Sequence, residues 1–192
     1  MMKFDVVVIG GGLAGMTAAT ELQRSGLRCA VVATGLSLHE APRRDFKAAG
    51  GTLLAGDSVV GGRIEDGKLL EVRTEKLGDA ALEADWFILA TGKYFSKGIV
   101  ADMDRVYEPL FGLDVDYDED RAKWFDPSFA APQPFLEFGV RTEGGCALKD
   151  GSPISNLLPA GEVLAGISSA EGDATSAIRQ SALDAVQIIR RK

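Results

Sequence analysis

The chain opens with an apolar strand pattern that runs directly into a glycine-rich turn. Residues 4–9 read FDVVVI and residues 10–15 read GGGLAG, so a G-x-G-x-x-G motif stands between a predicted strand and a predicted helix. In such a motif Gly10 permits the tight turn, Gly12 lets a pyrophosphate approach the backbone, and Gly15 lets the helix pack closely on the strand. The helix N-terminus then presents free N–H groups and a positive dipole end to the phosphates. This context predicts dinucleotide binding rather than a glycine turn without a nucleotide.

Length and composition favour one globular domain. The chain has 192 residues, 46% hydrophobic and 26% charged, and its net charge of −7 argues against a nucleic-acid partner held on a basic surface. A strand that begins at about Lys3 leaves no room for a signal peptide, and no stretch is long and apolar enough for direct membrane insertion, so we expect a cytoplasmic chain. Cys29 and Cys146 lie far apart beside a single histidine, which favours free or buried thiols and no metal site.

The rest of the chain alternates helix and strand patterns. The patterns predict helices over residues 13–24, 42–49 (with Pro42 at the first helical position) and 174–190, and strands over residues 27–32, 52–55, 85–89 and 156–162. Two further strand patterns, 58–65 and 68–74, flank Asp66-Gly67, a strong two-residue hairpin signal. We therefore predict an α/β fold of the Rossmann-like FAD/NAD(P)-binding class. It has a central parallel sheet and a small antiparallel meander at about 56–84, in a single domain over 1–192.

The end of the second strand does not select NAD. Ala33, followed by Thr34, stands where an acidic residue usually accepts hydrogen bonds from the adenosine ribose. For NADP a nearby arginine is needed, and the first candidates, Arg43 and Arg44, lie beyond a polar loop. These two arginines can hold a phosphate, but a solvated helix start is the favoured interpretation.

Later segments favour a flavin. The small residues 90–92 (ATG) let the chain cross close to the nucleotide, and Glu162 can accept hydrogen bonds from ribityl or ribose hydroxyls. The N-terminus of the last helix, near residues 172–176, can direct N–H groups at the pyrimidine edge of the flavin. Each segment alone has an ordinary structural explanation, but their order along the chain favours a flavin. The predicted cofactor-binding residues are Gly10, Gly12, Leu13, Ala14, Gly15, Ala33, Thr34, Ala90, Thr91, Gly92, Gly161, Glu162, Gly172, Thr175 and Ser176.

Four segments carry a resemblance to a known family: residues 4–15 (FDVVVIGGGLAG), 87–98 (FILATGKYFSKG), 108–115 (EPLFGLDV) and 129–140 (FAAPQPFLEFGV). Together they resemble the B subunits of anaerobic glycerol-3-phosphate dehydrogenase. Residues 156–166 (NLLPAGEVLAG) are also similar to the flavin segment of the fumarate reductase and succinate dehydrogenase flavoproteins. The resemblance covers residues 1–38 and about 43–190, and its middle motifs are more specific than the glycine turn.

The resemblance implies a flavoprotein subunit to which FMN is generally assigned. It further implies a related FAD-containing catalytic subunit and an iron–sulfur subunit attached to the membrane as partners. Such a complex oxidises sn-glycerol 3-phosphate to dihydroxyacetone phosphate and passes electrons to menaquinone, which implies a cytoplasmic position at the inner face of the membrane. The glycine turn instead favours FAD, because the turn is shaped for a pyrophosphate and FMN has none. We therefore predict FAD, with FMN as the alternative.

Two features depart from the family pattern. Family members carry a large insertion between the second and third sheet strands, the usual place for a cap over the flavin, whereas a short loop and one helix connect Val32 to Thr52 here. We place the shortened cap site at about 36–45, and the remaining connection is long enough for a right-handed crossover. The loop before the last helix has few glycines, and Glu171 and Asp173 add negative charge there. An internal deletion would explain the missing cap.

No pattern identifies a catalytic base. His39 is the only histidine and has no partner in view, so a surface histidine is the favoured interpretation. Residues 114–120 begin like a calcium loop, but Glu119 replaces the required glycine and Phe125 replaces the final glutamate, which predicts a solvated acidic loop.

Three functional interpretations stay open at this stage. The first is a redox subunit of glycerol-3-phosphate oxidation. The second is a flavin-fold interaction subunit, or a truncated cofactor domain, without turnover of its own, which the missing cap favours because an open flavin site is wet. An NAD(P)-binding protein is the third.

A cluster of aromatic residues and prolines also has two interpretations, because it either forms a wall of the flavin site or fills the core. It consists of Phe129, Phe135 and Phe138, with Pro132 and Pro134.

Overall fold

The computed structural model describes residues 2–34, 40–128, 130–168 and 173–191. These residues contain fourteen strands and three α-helices. The strands are β1 (Met2–Ile9), β2 (Cys29–Ala33), β3 (Thr52–Ala55), β4 (Val59–Glu65), β5 (Lys68–Thr74), β6 (Ala81–Leu89), β7 (Val100–Ala101), β8 (Val106–Tyr107), β9 (Val115–Asp116), β10 (Gly139–Val140), β11 (Thr142–Glu143), β12 (Cys146–Lys149), β13 (Ser152–Pro153) and β14 (Leu157–Pro159). The helices are α1 (Leu13–Arg24), α2 (Glu40–Ala48) and α3 (Ala174–Arg190), and short 3-10 helices cover Arg121–Lys123, Pro134–Glu137 and Gly161–Val163.

A seven-stranded sheet occupies the centre of the fold. Its order is β3-β2-β1-β6-β5-β4, and β14 also pairs with β6. Strands β3, β2, β1, β6 and β14 are parallel, whereas β5 and β4 are antiparallel to their neighbours. Helix α1 connects β1 to β2 and α2 connects β2 to β3, the kind of crossover that parallel neighbours require. The structure therefore confirms the predicted α/β class with a mostly parallel central sheet.

Several predicted elements are found with the expected bounds. Helices α1 and α3 and strand β3 match residue for residue, and the hairpin of β4 and β5 turns at Asp66 (φ 48°) and Gly67 (φ 69°). Positive φ at both central residues is the type I′ geometry that the Asp-Gly pair favours. The predicted shortened cap site at 36–45 lies partly outside the described residues, and α2 covers its second half.

The predicted antiparallel meander is present and forms one edge of the central sheet, because β5 pairs with β6. Other predictions need correction. Strand β2 begins at Cys29 instead of residue 27, because the Leu27 N–H bonds the carbonyl of Leu22 in α1. Helix α2 begins at Glu40, so Pro42 lies inside its first turn instead of opening it. None of the two-residue strands was predicted, since such short pairings have no periodic pattern, and the four-residue strand β12 was not predicted either.

The central sheet separates two apolar layers. Alternate residues of β1 face opposite sides: Val6 and Val8 pack with α1 and α3, whereas Val7 and Ile9 pack against the meander and the later loops. Phe138 is 7% exposed and belongs to the second layer, with Phe135 packed against it. Of the two interpretations of the aromatic group, the structure supports the core for these two residues. Phe129 lies outside the described residues.

Strand β6 has two successive neighbours on one side. Its residues 81–83 pair with β5 and its residues 87–89 pair with β14. Asn156, 3% exposed, joins the two regions: its side-chain carbonyl accepts the Leu69 N–H at 2.9 Å, and its amide donates to the carbonyls of Leu69 at 2.8 Å and Asp85 at 3.0 Å. The side-chain amide thus replaces a strand pair where β5 and β14 diverge.

Replacing Asn156 by alanine should lower the free energy of unfolding by about 2–4 kcal/mol, because the buried N–H and carbonyl of Leu69 and the part-buried carbonyl of Asp85 lose their partner. Urea denaturation measures the change. Ser155→Ala is the matched control, since the Ser155 hydroxyl makes only an exposed bond to the Gly67 carbonyl at 3.2 Å. The control should change stability by less than about 1 kcal/mol. Equal effects of the two substitutions would contradict this role for Asn156.

Asp57 connects β3 to the meander. This carboxylate, in a residue 3% exposed, accepts hydrogen bonds from the Thr74 hydroxyl at 2.7 Å, the Ser58 N–H at 2.8 Å and the Lys76 N–H at 3.0 Å. Burial by itself raises the pKa of Asp57, but the hydrogen bonds from Thr74, Lys76 and Ser58 outweigh it and hold the pKa below the ordinary value of 3.8. The ionised carboxylate therefore stabilises the fold.

Because the pKa of Asp57 is lower in the folded state than in the unfolded state, the ionised carboxylate stabilises the folded protein. This stabilisation is fully present above the pKa of the unfolded state and is lost as the pH falls through the pKa of the folded state. We therefore expect Asp57→Asn to reduce stability at pH 7 and to reduce the further loss on acidification below about pH 4. Denaturation at pH 7 and at a pH below about 4 measures the free energy of unfolding of the variant and of the parent. Asp79→Asn, at an exposed position, is the control and should keep the acid sensitivity of the parent. An Asp57→Asn protein with undiminished acid sensitivity would refute the assignment.

Candidate FAD-binding site

The glycine turn after β1 crosses directly over the end of β6. Gly10 has φ +111°, and a Cβ atom there would lie 2.1 Å from the carbonyl oxygen of Ala90. The Gly10 N–H donates to the Val32 carbonyl at 2.9 Å, and the Ala90 N–H donates to the Ile9 carbonyl at 2.8 Å. Only glycine fits this position, for steric and conformational reasons together.

The start of α1 is close-packed on one side and open on the other. A Cβ atom on Gly15 would lie 2.0 Å from the Gly10 carbonyl oxygen, so the helix rests directly on the turn. Gly12 is the exposed N-cap residue and has φ −77°. A Cβ atom added at this position would lie in open space, with no atom of the protein within 4 Å. The first helical residues, Leu13 and Ala14, have N–H groups without an acceptor inside the helix, and the first turn holds no acidic residue. This open cradle fits a phosphate.

The end of β2 contributes a methyl group instead of a carboxylate. Ala33 is the last residue of β2, one residue beyond the predicted end of this strand, and is 1% exposed. Its Cβ atom lies 2.5 Å from the position that a Cβ atom on Gly11 would take, so the strand end and the turn are in direct contact. Thr34 follows and is exposed. The hydrogen-bond acceptor that usually meets the adenosine ribose is therefore missing from this position.

Arg43 of α2 approaches the same turn. Its Nη2 atom lies 3.6 Å from the position that a Cβ atom on Gly11 would take, and the residue is half-buried. Arg44 is exposed. The expectation of a solvated helix start therefore holds for Arg44, whereas Arg43 lies at the glycine turn. Sequence alone did not separate the two, because their environments depend on how α2 is rotated.

The loop after β6 is tightly folded beside the glycine turn. Gly92 has φ +74°, and a Cβ atom on Gly98 would lie 1.9 Å from the Gly92 carbonyl oxygen. The Ser96 hydroxyl donates to the Thr91 carbonyl at 2.5 Å. The side-chain hydroxyl of Thr91 is buried and has no hydrogen-bond partner among the described residues. A buried polar atom without a partner, next to an open phosphate cradle, fits a site for a bound group.

Gly161 brings the end of β14 to the starts of two helices. It has φ +79°, and a Cβ atom there would lie 2.7 Å from the Cβ atom of Ala14 in α1 and 3.7 Å from Ile178 in α3. The Gly161 N–H donates to the Ser181 hydroxyl at 2.8 Å. The turn that follows β14, at the carboxyl end of that strand, therefore packs directly against α1, the helix whose N-terminus is predicted to bind the phosphates.

The remaining predicted positions surround this contact. Glu162 is half-buried in the 3-10 helix that follows β14. Thr175 and Ser176 are exposed in the first turn of α3. Gly172 lies outside the described residues, as do His39 and Glu171.

Sequence reasoning missed one charged residue near the site. Lys93, directly after Gly92, is 7% exposed, and its ammonium group donates to the carbonyl of Leu136. Burial lowers the pKa of Lys93, and the carboxylates of Glu137 and Glu162 partly oppose that shift. No local signal marks this lysine, because its burial depends on the distant segment around Leu136.

A cavity of about 390 Å³ lies next to Glu137. It is lined by Asp116, Tyr117, Asp118, Lys123, Pro134, Glu137 and Phe138. Three carboxylates against one ammonium group make this cavity unfavourable for a phosphorylated substrate. Within residues 2–34, 40–128, 130–168 and 173–191 no three or more His, Cys, Asp or Glu side chains are grouped so that they could hold a metal ion. No helix in the same residues is long and apolar enough to cross a membrane.

Comparison with known proteins gives sequence relatives and fold relatives. The chain is 38% identical over 143 residues to the B subunit of anaerobic glycerol-3-phosphate dehydrogenase from Glaesserella parasuis, covering 71% of this chain and 34% of the relative. It is 38% identical over 135 residues to the protein of the same name from Vibrio cholerae, covering 69% of this chain and 31% of the relative. These matches confirm the resemblance found from the motifs. The chain spans about one third of the length of these curated relatives.

Solved structures show the same fold. A thioredoxin reductase from Gloeobacter violaceus superposes with a TM-score of 0.61 at 12% identity, covering 100% of this chain and 95% of that chain. The bacillithiol disulfide reductase of Staphylococcus aureus superposes with a TM-score of 0.60 at 13% identity, covering 100% of both chains. At these identities the likeness concerns the fold alone.

A family model described as an FAD binding domain matches residues 5–41 and 33–172. The two matched segments include the glycine turn, the loop after β6 and the end of β14. They overlap at residues 33–41, within the connection from β2 to β3 where the family cap is expected. The match supports FAD, the cofactor that the glycine turn predicts. The chain belongs to the FAD binding domain family.

Proposed function

We propose that this chain is the flavin-binding redox unit of a complex like anaerobic glycerol-3-phosphate dehydrogenase. The observation that carries the proposal is the identity to the B subunits of that enzyme. The open cradle at Gly12, bounded by the packed contacts of Gly10 and Gly15, supports it because that cradle suits the pyrophosphate of FAD. When bound, FAD supplies the capacity to accept and pass on electrons.

The proposal assigns a part of FAD to each segment of the site. The first turn of α1, with Gly12, Leu13 and Ala14, holds the pyrophosphate through backbone N–H groups. The end of β2 borders the adenosine, residues 90–92 pass beside the nucleotide, and Glu162 accepts hydrogen bonds from ribityl hydroxyls. The start of α3, with residues 175 and 176, directs N–H groups at the pyrimidine edge, where negative charge gathers on reduction. The contact expected at Gly172 falls outside the described residues.

The partners and the location belong to the same proposal. The sequence relatives are each one subunit of a dehydrogenase, which supports a complex of several subunits. We infer a related FAD-containing catalytic subunit and an iron–sulfur subunit attached to the membrane, with the chain on the cytoplasmic side. The complex would oxidise glycerol 3-phosphate to dihydroxyacetone phosphate and deliver electrons to a quinone.

A second candidate is a flavin-fold interaction subunit, or a cofactor domain, without turnover of its own. The cavity beside Glu137 favours it, since the three carboxylates there would repel a phosphorylated substrate that entered this cavity. The short connection between β2 and β3 also favours it, because the space for a cap that excludes water is small. Electron transfer between subunits distinguishes the two candidates.

Gly12→Val should abolish FAD binding and leave the fold intact. The valine side chain would enter the space where the pyrophosphate lies, whereas the backbone at φ −77° accepts any residue and no atom of the protein lies within 4 Å of the new Cβ. Loss of the charge-assisted hydrogen bonds to the phosphates should weaken FAD binding by more than about 100-fold. Titration with FAD, followed by flavin fluorescence, measures the affinity.

The matched comparison for this experiment is Gly15→Val. A Cβ atom at Gly15 would lie 2.0 Å from the Gly10 carbonyl oxygen, so this variant should lose stability as well as FAD. Thermal unfolding separates the two variants. If Gly12→Val bound FAD as tightly as the parent, the placement of the pyrophosphate at this turn would be wrong.

The FAD-loaded chain alone should not oxidise glycerol 3-phosphate at a useful rate. A missing general base costs typically ~10²–10⁴-fold in rate, and exposed ion pairs hold a phosphate with only about 1 kcal/mol or less. Anaerobic stopped-flow mixing with glycerol 3-phosphate, followed by the visible absorbance of oxidised flavin, measures the rate. Dithionite should bleach the same flavin, since that needs only access. Rapid bleaching by glycerol 3-phosphate alone would show that this chain carries the catalytic groups.

The same mixing experiment tests the redox role when the inferred FAD-containing catalytic subunit is added in an amount small compared with the chain, so that most of the flavin absorbance belongs to the chain. If the chain is a redox unit, its flavin should bleach with glycerol 3-phosphate when the catalytic subunit is present. A flavin that stays oxidised while the catalytic subunit turns over would favour the interaction role instead.

A further inference from the structure

We propose that Arg43 recognises the phosphate on the adenosine side of FAD and so replaces the acidic residue that is missing at the end of β2. The inference rests on the proposed function, because it assumes that FAD occupies the glycine turn. It gives α2, which lies outside the glycine motif, a role in recognising the cofactor.

The geometry brings Arg43 to the turn from outside the motif. Gly11 stands between the tight turn at Gly10 and the helix cap at Gly12, and its missing Cβ atom would lie 2.5 Å from the Cβ of Ala33 and 3.6 Å from Nη2 of Arg43. The guanidinium group and the end of β2 therefore border the same side of the turn. A nucleotide whose pyrophosphate lies at the start of α1 has its adenosine half next to the end of β2.

The packing of α2 explains why Arg43, and not its neighbour, reaches the turn. Phe46 is fully buried, and a Cβ atom on Gly51 would lie 2.2 Å from its ring. This anchor fixes the rotation of α2 about its axis. Arg43 stands three residues before Phe46 and shares its face, whereas Arg44 is turned away and is exposed.

The strand end and the helix start at the turn bring no carboxylate to the space beside Arg43. The first turn of α1 contains no acidic residue, and Ala33 supplies no charge at the end of β2. A guanidinium group has only donors, so it cannot copy the ribose contact of a carboxylate, but it matches phosphate oxygens with two parallel N–H donors. At the adenosine end, this chain would therefore recognise FAD by its phosphate, whereas proteins with the usual acidic residue recognise the ribose hydroxyls.

Isothermal titration of the whole chain with FAD, ADP and adenosine tests this inference. Arg43→Ala should weaken FAD and ADP binding by about 10- to 100-fold, the loss of a charge-assisted hydrogen bond, and should reduce the salt dependence of ADP binding. Adenosine, which has no phosphate, should bind both proteins equally. Arg44→Ala removes the same charge one residue away and should leave all three affinities unchanged.

Arg43→Gln keeps a long polar side chain but removes the charge. It should weaken FAD and ADP binding as much as Arg43→Ala does, and its melting temperature should equal that of the parent. Equal binding of ADP by the parent and by both Arg43 variants would overturn the inference, while FAD binding by the parent would leave the proposed function standing. A parent that binds neither FAD nor ADP would refute the proposed function itself. Tighter binding of adenosine 2′,5′-bisphosphate than of ADP would show that Arg43 recognises a 2′-phosphate, and would also overturn the inference.

Discussion

The structure depends on the contact between the glycine turn and the end of β6. The space between Gly10 and the carbonyl oxygen of Ala90 is too small for any side chain, and Gly15 lies equally close to Gly10 on the other side. Three elements, β1, β6 and α1, are therefore held at backbone contact distance. Because β14 pairs with β6 and Gly161 packs on α1, the C-terminal part of the chain is aligned with the same point. Three of the predicted segments, residues 10–15, residues 90–92 and Gly161, therefore meet around this contact.

Charge is distributed unequally along the site. The glycine turn has Arg43 beside it and no acidic residue in the first turn of α1, which suits the phosphates of a dinucleotide. The opposite end holds Glu162, Glu137 and a cavity with further carboxylates, where Lys93 is the buried cation next to the loop after β6. The site is therefore well suited to hold FAD by its phosphates, and its acidic end is poorly suited to a phosphorylated substrate. This contrast supports the proposal that the chain binds the cofactor while a partner subunit acts on the substrate.

The fold closes without a large cap because the sheet does not need one. Helix α2 alone connects β2 to β3, and Phe46 anchors it against the sheet. On the other side, the side chain of Asn156 bridges β5, β6 and β14, so the meander and the C-terminal strand share one partner strand without a break in hydrogen bonding. Contacts within the described residues thus hold both edges of the sheet.

The sequence by itself determined the local elements of this protein. Strand, glycine turn and helix at residues 4–24, the Asp66-Gly67 hairpin and the last helix are specified by short-range periodicity and by residues with special backbone preferences, so they were predicted nearly to the residue. The motif and the resemblance likewise led to an FAD binding domain. Only the tertiary structure decided which distant groups meet. The contact of Gly161 with Ala14, the burial of Lys93 under Leu136 and the difference between Arg43 and Arg44 depend on how helices and loops pack across the sheet. Packing between segments far apart in the chain has no signature in a single local pattern, which is why these contacts could not be predicted from the sequence.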